Sequence, residues 1–136
     1  MVEIDAVYEG ALRCRVTHGP SGQTFVTDAP TDNHGKGEAF SPTDLMAAAL
    51  GSCVLTVMGI VAMRHQMDLA GTRAHVAKEM REDPVRRVSR LAVTVTFPRT
   101  WSAPQRELLE RTAKSCPVHH SLHPQIEASI QFVYPS

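Results

Sequence analysis

A chain of 136 residues is the length of one domain, and with 43% apolar residues it can build a core rather than stay disordered. Fourteen Lys plus Arg balance fourteen Asp plus Glu, and aromatics make up only 5%. That excludes the basic excess and the stacking surfaces by which nucleic-acid binders are recognised. Three cysteines do not form the even-numbered framework of a secreted disulfide protein. Met1 to Asp5 lacks the basic start and apolar run of a signal peptide, so the expected location is cytoplasmic, where thiols stay reduced.

Val2 to Tyr8 alternates apolar and polar and predicts a strand, closed by a turn at Glu9 and Gly10. Leu12, Cys14 and Val16 alternate with Arg13, Arg15 and Thr17, a second strand with a basic outer face and Cys14 on the core side. After a turn at His18 to Gly22, Thr24 to Thr27 completes an antiparallel meander. Ala29 to Phe40 is rich in Pro, Asp, Asn and Gly and reads as a loop. It ends at a helix start, with Ser41 as N-cap, Pro42 in the first helical position and Asp44 three residues after the cap.

That helix is expected to reach Gln66 or Met67. Its segment Leu45 to Met63 carries no charge. By length alone it is a membrane-span candidate, but Ala47, Ala48, Ala49, Gly51, Ser52, Thr56 and Gly59 keep it mildly apolar. The better reading is a helix buried on all sides, in the centre of a domain or a dimer. Strands follow at Ala74 to Met80 and Val88 to Phe97, joined through Asp83 and Pro84; in the second, Leu91, Val93, Val95 and Phe97 share a face. Ser102 caps a charged helix that Cys116 and Pro117 redirect, His119 to Leu122 adds a turn, and Ile126 to Tyr134 is a last strand. Strand clusters separated by helices give an α+β fold in a single domain over 1–136, not a doubly wound sheet. No Gly-rich phosphate loop is present.

Chemistry points to the thiols. On a 3.6-residue repeat, Leu45, Ala49, Cys53, Thr56, Ile60 and Met63 form one stripe, and Cys53 is either core packing or an interface thiol that small Gly51 and Ser52 allow a neighbour to approach. Cys116 stands before Pro117 and near His119 and His120, where a helix start and imidazolium both favour thiolate. Should folding join these sulfurs, the chain holds the parts of a thiol peroxidase. Cys116 with His119, His120 and His123 also raises a zinc site, but adjacent His119 and His120 diverge on a helix. A reactive thiolate calls for a cation, for which Arg13 and Arg15 are candidates, with Asp44 either orienting an arginine or complementing its own helix start.

Ser41 to Cys53, reading SPTDLMAAALGSC, resembles the first cysteine motif of the OsmC/Ohr family, osmotically inducible protein C and organic hydroperoxide resistance protein. Ser115 to Leu122, reading SCPVHHSL, is similar to its second, and the order of elements agrees over essentially the whole chain. The resemblance implies an intertwined homodimer with antiparallel sheets wrapped around two central apolar helices. It implies catalytic Cys53 attacking an organic hydroperoxide, then a Cys53–Cys116 disulfide; the family's arginine has no residue-by-residue match here, and the residues themselves offer Arg13, Arg15, Asp44 and His119 as candidates for tuning the thiolate. It implies an external dithiol reductant, often lipoyl-based in the family, and a helix covered by a partner chain and not by lipid; no bound cofactor, metal, membrane or nucleic-acid partner is expected. The chain departs from the pattern at Thr43, where well-characterised members carry a glutamate that positions an activating arginine. Competing expectations are a non-enzymatic binder of an apolar or fatty-acyl ligand in the dimer cleft, and a thiol redox sensor.

Overall fold

The computed structural model describes residues 1–136 as six strands and three helices. They fall into two compact units, Met1–Met46 and Ala47–Ser136. In the first, β1 (Ile4–Gly10), β2 (Arg13–His18) and β3 (Thr24–Val26) form an antiparallel sheet in that order. The β1–β2 turn falls at Ala11 and Leu12, with φ of 54° and 62°, and the register shifts between Tyr8 and Gly10. A two-residue hairpin turn matches the strand twist when both its residues take positive φ, so Leu12 sits in the turn rather than in β2. Cys14 is only half-buried, not a core residue as its alternation suggested.

The loop after β3 folds on itself through a short 3-10 turn at Thr31–Asn33. Its neck closes where the Asp28 amide donates to the Phe40 carbonyl at 3.1 Å. Gly35 is required there, since a Cβ on it would lie 1.8 Å from the Ala29 carbonyl oxygen. Helix α1 (Pro42–Arg64) opens with the expected reciprocal cap: the Asp44 amide donates to Ser41 Oγ at 3.1 Å, and the Ser41 amide donates to Asp44 Oδ2 at 2.9 Å.

In the second unit, β4 (Arg73–Arg81), β5 (Arg87–Thr96) and β6 (Glu127–Val133) make a sheet in that order. The β4–β5 pair is antiparallel, but β6 runs parallel to β5, so this sheet is mixed where an antiparallel one was expected. The chain between them crosses through α2 (Ala103–Ala113) and α3 (Pro117–Ser121), and such a crossover returns a strand in the same direction. Ser102 and Gln105 form a full capping box at the start of α2.

The core lies in this unit. Leu91, Val93, Val95 and Phe97 of β5 and its end are buried with Leu109 and Ala113 of α2 and with Leu50, Val54, Met58 and Ala62 of α1. At Gly51 α1 comes close to β4: a Cβ there would stand 2.9 Å from Val76 Cγ2. By length and composition α1 could cross a membrane, yet it is not covered all round within one chain, since 33% of its most apolar window is buried. The buried stripe is Leu50, Val54, Met58 and Ala62, while Thr56, Ile60 and Met63, which share the Cys53 stripe, are exposed within one chain.

Candidate functional site

Cys53 lies in the fourth turn of α1, half-buried between the covered and open faces of the helix. The hydroxyls beside it are engaged with their own helix: Ser52 Oγ donates to the Ala48 carbonyl at 2.8 Å and Thr56 Oγ1 to the Ser52 carbonyl at 2.8 Å. Cys116 comes from the opposite end of the unit's sequence. It follows α2, takes a non-helical backbone (φ −56°, ψ 126°) and caps α3, with Pro117 in the first turn. Its Sγ accepts from the His119 amide at 3.5 Å.

The fold brings these two sulfurs together. The Cys53 thiol lies close enough to Cys116 to act on its ionisation, and both are free thiols. Cys116 is 0% exposed, so of the two only Cys53 is open to approach. Burial first, and then the Cys53 thiol, push the Cys116 thiol up from its ordinary range, against the opposing pull of the His119 and Val118 amides. This corrects the expectation of a Cys116 thiolate. The helix start is present, but desolvation of the sulfur outweighs it. What results is an unequal pair: a buried Cys116 whose thiol form is favoured, near a more accessible Cys53.

His119 is half-buried, and its Nε2 lies 3.1 Å from the Ala128 carbonyl of β6. A carbonyl only accepts, so this nitrogen carries the proton. His120 is exposed, with its ring edge-on to His119 at 6.1 Å. His123 is also exposed, its Nδ1 accepting from the Gln125 amide at 3.0 Å. The zinc alternative finds no geometry, because no three His, Cys, Asp or Glu side chains converge.

The candidate arginines lie in the first unit, on β2. Arg15 is an exposed residue paired with Glu9 at 3.0 Å. Arg13 is held more firmly, one guanidinium nitrogen standing 3.3 Å from both Asp28 Oδ2 and Glu38 Oε1. Asp28 is 1% exposed, and its Oδ2 also accepts from the Glu38 amide at 3.0 Å. That amide, with the Arg13 charge behind it, holds the Asp28 carboxyl below its ordinary range although burial works the other way. Asp44 serves the α1 cap, and the carboxylates on Arg13 are Asp28 and Glu38. Neither was marked in the sequence. Asp28 opens a Pro/Asp/Gly-rich loop, where an aspartate is an ordinary turn residue, and nothing in the local pattern signals its burial.

The OsmC-like protein family matches residues 35–131. This chain belongs to the OsmC-like family. Among solved structures, a Psychrobacter arcticus protein provisionally described as an osmotic-stress-induced and detoxification-response protein is 44% identical over 97% of this chain and 96% of its own, with a TM-score of 0.91. A Legionella pneumophila OsmC, described as an organic hydroperoxide resistance protein, shares the fold at 16% identity, covering 98% of this chain and 96% of its own with a TM-score of 0.74. An organic hydroperoxide resistance protein from Elizabethkingia anophelis does so at 16% identity, 99% and 96% coverage and a TM-score of 0.72. No protein with a curated description matches.

Proposed function

We propose that this OsmC-like protein is a thiol peroxidase that reduces organic hydroperoxides in the cytoplasm. The observation that carries the reading is the unequal Cys53–Cys116 pair, an accessible sulfur near a buried one whose thiol form burial favours. The Cys53 thiolate attacks the peroxide, the O–O bond breaks, and an S–O bond forms. The alkoxide takes a proton and leaves as alcohol, with Cys53 as sulfenic acid. Cys116 gives up its proton and attacks the Cys53 sulfur; the S–O bond breaks and hydroxide leaves as water. The peroxide has gained two electrons, and the two thiols have become a disulfide that an external dithiol reduces. No bound cofactor or metal takes part. The hydroperoxide-resistance descriptions of two structural relatives support this chemistry.

The working form in this reading is a homodimer. Support comes from apolar side chains without cover: Ile4, Val7, Tyr8 and Phe25 of the first sheet and Ile60 and Met63 of α1 are exposed within one chain. A second reading, an apolar-ligand binder, has one observation in its favour. An open groove of about 410 Å³ in the second unit is lined by Ile60, Met63, Met67 and Leu69. Turnover of cumene hydroperoxide with a dithiol decides between them. The peroxidase reading expects multiple turnovers by the wild type and none by Cys53→Ser. Tight fatty-acid binding that survives Cys53→Ser, without turnover by the wild type, would favour the binder.

A further inference from the structure

We infer that His119 is a positioning residue for disulfide closure, holding the Cys116 sulfur with its backbone amide while its ring ties the α3 turn to β6. The inference rests on the peroxidase reading above. α3 spans five residues, Pro117–Ser121, and buries none of them, so packing of its own does not fix where it sits. Within the turn, Ser121 Oγ returns to the Pro117 carbonyl at 2.8 Å and the His120 amide to the Cys116 carbonyl at 3.1 Å. These bonds shape the turn but do not anchor it to the sheet. The His119 ring does, through Nε2 and the Ala128 carbonyl at 3.1 Å. Ala128 pairs in register with Leu91, which is 0% exposed at the centre of the sheet. β6 is an edge strand, where carbonyls not used by β5 are open to such a side chain.

One residue thus makes both contacts, its amide on the Cys116 sulfur and its ring on the rigid sheet. Disulfide closure needs the two sulfurs to approach to about 2 Å in line with the departing oxygen. A displacement of about an ångström in such a reaction costs up to about a hundredfold in rate. Oxidation of Cys53 makes no such demand on Cys116. Loss of the ring tether therefore slows the second step and spares the first, a split that a general loss of folding does not produce.

The test uses the full chain, reduced, mixed with one equivalent of cumene hydroperoxide and quenched over time for intact mass. Gain of one oxygen reports sulfenic acid; its loss as water reports closure. His119→Leu is expected to gain oxygen at the wild-type rate and close at least about tenfold more slowly. His119→Gln, whose terminal N–H can occupy the place of Nε2, is expected to close within about threefold of wild type. His120→Leu, at an exposed ring with no tether to the sheet, should match wild type in both steps. Should His119→Leu fold poorly, His119→Asn is read the same way, since its shorter amide stops short of Ala128. Closure in these variants as fast as in wild type, or a His119→Gln as slow as His119→Leu, overturns the positioning role while leaving the peroxidase reading intact. A wild type that never gains oxygen overturns the peroxidase reading, and this inference with it.

Discussion

The two units of this chain are stabilised by different means. Ala47–Ser136 has a hydrocarbon core that runs from Leu50 through Leu91 to Leu109 and closes over Cys116. Met1–Met46 buries only Thr27, Asp28 and Ser41, all polar, and leaves Ile4, Val7, Tyr8, Leu12, Phe25 and Phe40 exposed. Three short strands without a covered apolar face gain little from the hydrophobic effect. Their order comes from ladder hydrogen bonds, a self-bonded loop and the carboxylates around Arg13. The difference teaches that the thiol pair sits in the part of the chain with a packed core, while the other part leaves its apolar side chains uncovered within one chain.

Truncation of the core should have the largest effect. Leu50→Ala, at a residue with no exposed surface, is expected to lower unfolding stability by about 2–5 kcal/mol in urea melts. Phe25→Ala, in the first unit, should instead act on assembly and weaken dimerisation measured by sedimentation. An unchanged dimer constant would mean that a second copy does not cover this sheet. Next comes Gly51→Ala, whose new methyl would press on Val76 Cγ2 at 2.9 Å. A cost of about 1–3 kcal/mol is expected, together with slower disulfide closure as the helix turn beside Cys53 shifts. No loss in either readout would show that α1 and β4 have slack at that point.

Smaller effects belong to the first unit. The Ala11–Leu12 turn holds two non-glycine residues at positive φ, so Ala11→Asn with Leu12→Gly should raise stability by about 1 kcal/mol. A drop would show that those side chains matter to contacts outside the turn. Asp28 supplies an acid-range signature. Its folded pKa lies below its ordinary 3.8, so its contribution is present above that value and is lost as pH falls through the lower folded one. Asp28→Asn should therefore flatten the acid side of the stability profile; an unchanged slope would remove Asp28 from the account of the Arg13 network.

Much of this was legible in the sequence where one physical signal dominates. The alternation of Leu91, Val93, Val95 and Phe97 marked a face that is buried, and the Ser41–Asp44 and Ser102 starts carried their capping chemistry openly. The α1 stripe was harder. A helix apolar all round offers no contrast from which to read its covered face, and the buried residues proved to be Leu50, Val54, Met58 and Ala62. The parallel β6 follows from where the crossover lands, which local pattern does not encode. Two cysteine motifs marked the thiols of the candidate site, but that burial holds Cys116 as a thiol depends on packing by residues distant in sequence. The same holds for Asp28, a turn-type residue by its neighbours and a buried carboxylate in the fold.

The most direct test of the account is to find where the first peroxide leaves its oxidation. Reduced protein is given one equivalent of cumene hydroperoxide, digested without reductant, and its disulfide and sulfenic acid sites are mapped in wild type, Cys53→Ser, Cys116→Ser and Cys14→Ser. The account predicts a Cys53–Cys116 disulfide in wild type and in Cys14→Ser, a trapped sulfenic acid on Cys53 in Cys116→Ser, and no oxidation in Cys53→Ser. A disulfide that includes Cys14, or a Cys53→Ser variant that still consumes peroxide at the wild-type rate, would contradict it.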